Sequence, residues 1–167
     1  MQRRSFFGGA FAGLVVLAGR GRASRLKAGD IPTRTFGKTG EKLTVIGQAG
    51  GRYPLCSFEE AKAVTLRAYE LGINYFDNAH SYWNGRSEVV YGEVLPPFRK
   101  EVFITSKSTQ RTRKGAEEEL HKTLKRLKTD YLDLWQVHSV QSTEDLKAIF
   151  APGGAIEAFE AAKKAGK

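Results

Sequence analysis

Cysteine is almost missing from this sequence. Cys56 stands alone, so no internal disulfide can form. With no histidine or acidic partner at motif spacing it reads as a packed or idle thiol, not a nucleophile. No Gly-x-Gly-x-x-Gly follows the first apolar strand-like run. The glycines at 47, 50 and 51 lead instead into Arg52-Tyr53-Pro54, where a helix would have to begin, which counts against a dinucleotide-binding Rossmann unit. No apolar stretch reaches the roughly 18–20 residues needed to span a bilayer. Acidic residues are in deficit too, 18 against 27 Lys and Arg, for a formal net charge of +9.

That excess is not spread evenly. Residues 1–30 hold Arg3, Arg4, Arg20, Arg22, Arg25 and Lys27 against Asp30 alone, while residues 31–167 hold 21 basic and 17 acidic residues. The body therefore has an ordinary mixed surface, with no nucleic-acid footprint. The front has the layout of an export signal, with two adjacent arginines before fifteen uncharged residues, 5–19. Arg3-Arg4-Ser5-Phe6-Phe7 resembles a twin-arginine motif, which implies the twin-arginine export machinery as a partner and a periplasmic or exported product; without export the protein would be cytoplasmic. No clean small-x-small triplet marks a cleavage site, and Gly21-Arg22-Ala23-Ser24 is the best candidate. Residues 1–30 are read as leader and linker and residues 31–167 as the folded unit.

The body alternates between strand and helix patterns. Residues 33–43, with Gly37 and Gly40, predict a short β-hairpin, and residues 44–46 a strand. Ser57-Phe58-Glu59-Glu60 is a capping box. It opens a helix with Ala61, Val64, Ala68 and Leu71 on one face, stopped at Gly72. A strand at 73–76 is followed by a helix from Ser87 as cap to Leu95, ended by Pro96-Pro97. A strand at 102–105, a helix at 114–127, a strand at 131–137 and a helix at 156–165 complete the series. Near-continuous apolar strands alternating with helices predict an α/β fold on a parallel sheet. A (β/α)8 TIM barrel needs about 250 residues, so only about the first four βα units of one are present, preceded by the hairpin.

Reactive residues gather at predicted strand ends. Asp77 closes the second strand with Tyr82 in the loop after it, Lys107 ends the third and His138 the fourth. In a βα barrel those ends share the rim where catalytic groups collect. Each has an ordinary reading alone: a loop cap, a rim aromatic, an end charge, a core histidine. Together they are harder to dismiss, because a lysine and an aspartate beside apolar runs are costly unless paired. Tyr53 and Trp83, after the first and second strands, are candidate walls of an apolar substrate pocket. His80 lies near the site without metal-ligand spacing, His121 reads as surface, and Lys122, Lys125, Arg126 and Lys128 as a solvated helix face.

Several segments carry a resemblance. Tyr75-Phe76-Asp77-Asn78-Ala79-His80-Ser81-Tyr82, then Ser87-Glu88 with Gly92, is similar to the aldo-keto reductase signature. So are Phe103-Ile104-Thr105-Ser106-Lys107 and the stretch from Leu124 to His138. Thr35-Phe36-Gly37-Lys38-Thr39-Gly40 resembles that family's opening hairpin, which plugs the barrel bottom. The resemblance implies that Asp77, Tyr82, Lys107 and His138 form a catalytic tetrad, with NADP(H) or NAD(H) as cofactor and a small-molecule aldehyde or ketone as substrate. Asp77 alone of the named residues would also touch the cofactor. A phenol ordinarily keeps its proton to about pH 10, so an acid tyrosine needs a cation such as Lys107 beside it, anchored by Asp77. His138 would orient the carbonyl oxygen.

The residues that hold the cofactor in that family lie mainly on strands five to eight, so the chain reads as a truncated piece of a longer protein. A four-stranded half would expose an open sheet edge. Two alternatives stand beside the enzyme. One is a non-catalytic module of the same fold that senses cofactor or regulates a partner. The other is a half-barrel that assembles as a dimer.

Overall fold

The computed structural model describes residues 29–167. The leader and linker read at 1–30 therefore lie, but for Gly29 and Asp30, outside the described residues. Strands β1 (Thr33–Thr35) and β2 (Lys42–Thr44) pair antiparallel, with Thr33 opposite Thr44. Four further strands, β3 (Gln48–Ala49), β4 (Tyr75–Asp77), β5 (Phe103–Ser108) and β6 (Leu134–Val137), form one parallel sheet in that order. Helices α1 (Phe58–Glu70), α2 (Arg86–Val94) and α3 (Arg113–Leu127) connect them, and α4 (Thr143–Phe150) and α5 (Ala155–Lys164) follow. Sequential parallel strands with helical crossovers form part of an α/β barrel. Among the described residues no helix is long and apolar enough to cross a membrane.

Local chemistry explains most boundaries. Ser57 Oγ accepts from the Glu60 amide while the Glu60 carboxylate accepts from the Ser57 amide at 2.8 Å, so both orphan donors at the start of α1 are satisfied. Gly72, at φ 92°, turns the chain out of that helix. Thr112 caps α3 by accepting from the Gly115 amide. Ser142 caps α4 by accepting from the Asp145 amide; this helix was not anticipated from the sequence.

Three expectations need correction. The apolar residues 44–46 are not the first sheet strand. Thr44 ends β2, tied to the Asn74 side chain, and Val45 and Ile46 are exposed, so the sheet begins two residues later at Gln48. Val64 is also exposed; α1 buries Ala61, Thr65 and Ala68, whose small side chains let the helix approach, with the Thr65 hydroxyl bonded to the Ala61 carbonyl at 2.8 Å. Ser87 is not a cap. The cap of α2 is Gly85, in left-handed backbone, and Ser87 lies inside the helix, buried and donating to the Gly50 carbonyl at 2.8 Å.

Alternation along β5 sorts its side chains by face. Ser106 and Ser108 point to the helical layer, reaching Glu88 on α2 and Glu119 on α3. Thr105 and Lys107 point the other way, to Asp77. Phe103 shares their face and meets Phe36 of the hairpin edge-on, ring centres 5.9 Å apart. The main core lies between sheet and helices, around Phe76, Val90, Tyr91, Leu95, Ile104 and Leu127.

Candidate active site

Hydrogen bonds of the sheet continue past the strands and bring their ends together. The Asn78 amide donates to the Thr105 carbonyl, the His80 amide to the Lys107 carbonyl and the His138 amide to the Ser108 carbonyl, all within 2.8–3.0 Å. The loops bearing Tyr82 and His138 are thus anchored to either side of the β5 end that bears Lys107.

Lys107 Nζ donates to both carboxylate oxygens of Asp77, at 2.7 and 2.8 Å, and to the Asn78 carbonyl at 2.7 Å. All three of its hydrogens are used. Thr105 Oγ1 adds a fourth bond, to Asp77 Oδ1 at 2.8 Å. Both members of the pair are largely shielded from water, and the charges offset one another's desolvation.

Tyr82 lies beside this pair. The ammonium of Lys107 is 5.2 Å from the centre of its ring, and the His138 ring meets it edge-on with centres 5.6 Å apart. A Cβ at Gly51 would come within 3.3 Å of the phenol ring, so the loop after β3 packs its bare backbone there. His138 Nδ1 is 3.4 Å from Ser81 Oγ. Burial, and then the Lys107 cation, hold the imidazole below its ordinary value, which favours the neutral ring. Asp77, Tyr82, Lys107 and His138 therefore converge on one rim.

Of the two candidate pocket walls, Tyr53 sits elsewhere. Tyr53 is buried in the core between sheet and α1, its hydroxyl bonded to Thr65 and its ring edge-on to Tyr91. Burial pushes its phenol up to about 12. An aromatic after a strand can as well fold back under the sheet as line the rim, and a buried threonine satisfies its hydroxyl. Trp83 is half-buried against the core, its ring centre 6.2 Å from that of Phe58 on α1, with the Arg86 guanidinium 4.4 Å over its face. Trp83, Asn84 and Gly85 are three consecutive residues in left-handed backbone. Each of the two that carry a Cβ costs about 1–2 kcal/mol there, so the segment after Tyr82 is held by its surroundings.

Other residues shape the site in ways that the sequence did not suggest. Tyr91, fully buried on α2, sets its hydroxyl 3.0 Å from the carbonyl oxygens of both Gln48 and Asp77, tying β3 to β4. Glu88 accepts from Ser106 and Thr123, and Glu119 from Ser108, Thr109 and Gln110. Burial raises the Glu119 carboxyl, but those donors outweigh it and the net shift is downward. Polar residues at alternate strand positions were the available signal, with buried helix acids as partners. His80 lies between the two acids, 4.0 Å from Glu88 and 3.9 Å from Glu119. Among the described residues no group of three or more His, Cys, Asp or Glu could hold a metal ion.

A carboxylate, an ammonium, a phenol and an imidazole can supply and relay protons, whereas no amino-acid side chain donates hydride. The set fits the proton-donating half of a carbonyl reduction.

Residues 46–167 match the sequence model of the Aldo/keto reductase family. An uncharacterized oxidoreductase of Bacillus subtilis is 34% identical over 122 residues, covering 65% of this chain and 38% of that protein. The holo form of an aldo-keto reductase from Bacillus halodurans superposes with a TM-score of 0.68 at 25% identity, over 81% of this chain and 47% of that one. An aldo-keto reductase from Klebsiella pneumoniae in complex with NADPH superposes with a TM-score of 0.64, also at 25% identity, over 82% and 47%. The chain spans less than half the length of each of these proteins.

Proposed function

The chain belongs to the aldo/keto reductase family, and on that premise we propose that it carries the proton-donating site of an enzyme reducing aldehydes or ketones to alcohols with NADP(H) or NAD(H). One observation carries the reading: the Tyr82 ring sits against both the Lys107 ammonium and the His138 imidazole on a single rim. The bound nicotinamide would supply hydride to the carbonyl carbon, and the neighbour that binds NADPH supports that cofactor class.

The chain's own residues do the rest. Tyr82 gives its hydroxyl proton to the carbonyl oxygen as negative charge builds there. Lys107, a fixed cation near the ring, favours the phenolate left behind. Asp77 holds that cation in place by two hydrogen bonds, helped by the Asn78 carbonyl. His138, held neutral by burial and by Lys107, can offer an N–H to the same oxygen and orient the substrate for the tyrosine, so phenol and imidazole together make an oxyanion site.

Following the loss of NADPH absorbance with an aromatic aldehyde in the full gene product tests this reading. Aldehyde-dependent oxidation is expected. NADPH binding with no turnover of any carbonyl would instead favour the cofactor-sensing module of the same fold. Export to the periplasm through twin-arginine machinery is part of the proposal, supported by Arg3-Arg4 before the uncharged residues 5–19. Replacing both arginines by lysine should keep the protein in the cytoplasm, and unchanged export would remove that part.

A further inference from the structure

Arg126 does not belong to the solvated face its neighbours Lys122, Lys125 and Lys128 suggested. Its side chain is 27% exposed and its guanidinium turns inward, to a carboxylate that is wholly buried. Nη1 stands 3.1 Å from Glu88 Oε2, 3.4 Å from the His80 carbonyl and 3.3 Å from His80 Nδ1. Nη1 carries two hydrogens; the carboxylate takes one and the His80 carbonyl the other, which Nδ1 shares in the tautomer that leaves it a lone pair. The guanidinium also fills the space where a Cβ of Gly85 would lie, 2.1 Å from Cζ.

The geometry is prepared from the helices. A Cβ at Gly92 would fall 1.9 Å from the Arg126 carbonyl, so this glycine lets α2 and α3 touch backbone to backbone. That contact sets Arg126 opposite Glu88, one turn earlier on α2. The other oxygen of Glu88 is held by Ser106 and Thr123, at 2.7 and 2.8 Å. Ser106 immediately precedes Lys107.

His80 and Gly85 bracket the segment that carries Tyr82. Within it Trp83 and Asn84 hold left-handed backbone, a conformation that persists only where its surroundings enforce it. We propose that Arg126 is the positioning residue for Tyr82: anchored on buried Glu88, its guanidinium clasps the His80 carbonyl and underlies Gly85, fixing both ends of the phenol's loop to the strand that bears Lys107. Arg126 touches none of the reacting groups and acts through the loop alone. The inference rests on the reading of Tyr82 as proton donor.

The test uses the full gene product labelled with 3-fluorotyrosine, with the Tyr82 fluorine resonance assigned by its loss in Tyr82→Phe. In Arg126→Ala the Tyr82 resonance should shift and broaden while those of Tyr53 and Tyr91 stay in place. Turnover should drop about 10- to 100-fold, the scale of a misplacement near 1 Å, with NADPH affinity within about twofold and partial recovery on adding millimolar guanidinium. Arg126→Lys keeps the charge but loses the planar fork, and should give the same pattern more weakly if the alanine variant does not fold. An unmoved Tyr82 resonance would overturn the proposal. So would equal movement of all three tyrosines, which is general loosening of the fold. The resonance decides the matter whether or not the protein turns over a carbonyl, so failure of the reductase reading is seen separately, as absent wild-type activity.

Discussion

Lys107 and Asp77, thirty positions apart in sequence, meet at the ends of neighbouring parallel strands with the ammonium 2.7 and 2.8 Å from the two carboxylate oxygens. Asp77 is paired in register with Thr105, whose hydroxyl bonds the same carboxylate, and Lys107 follows two residues on along the same face. Sheet register therefore sets the pair, and the pair sets a cation beside the Tyr82 ring.

Lys107→Met leaves the Asp77 carboxylate shielded and without its counter-charge. Breaking a fully buried pair costs about 3–5 kcal/mol. Both groups here keep some solvent contact, so a loss of about 2–4 kcal/mol is expected by urea denaturation, together with lost turnover and a shifted pH optimum. A variant as stable and as active as the wild type would remove the pair from the account.

His138 is held below its ordinary value near 6.5, first by burial and then by Lys107. The unfolded chain therefore binds its proton at a higher pH than the folded one, and stability is lost as pH falls below about 6.5. Replacing His138 by glutamine should flatten that part of the stability curve. Denaturant midpoints between pH 7 and pH 5 measure this, and an equally steep fall in both proteins would contradict it.

Gly92→Ala would place a methyl group 1.9 Å from a backbone oxygen of the next helix. Backbone cannot swing aside as a side-chain end can, so α2 and α3 must separate. A loss of about 2–3 kcal/mol, in the range of overpacked cores, is expected from thermal denaturation. A change within about 0.5 kcal/mol would mean that the two helices are not in contact there.

Much of this was legible from the sequence. Apolar runs punctuated by a capping box at Ser57 and Glu60, a glycine stop at 72 and paired prolines at 96 and 97 gave the order of elements. The convergence of Asp77, Tyr82, Lys107 and His138 followed from their places at strand ends. What stayed hidden depends on contacts between distant residues. An apolar triplet at 44–46 does not reveal that Thr44 is committed to a hairpin and to Asn74. Tyr53 carries no mark of its partner Thr65. Arg126 sits among lysines in a run that looks solvated, and its inward turn depends on the approach of α2 at Gly92. The helix at Thr143–Phe150 had a legible signal in Ser142 and Asp145, but its short apolar face was too weak a period to stand out.

The proposed role of Tyr82 as proton donor in a carbonyl reduction is put to the test by replacing it with phenylalanine. In the full gene product, NADPH binding by fluorescence and aldehyde turnover by NADPH absorbance are measured on the same preparation. Binding within about twofold of wild type is expected, with turnover reduced by about 10²–10⁴-fold, the usual scale of general acid catalysis. Turnover equal to wild type with binding intact would contradict that role.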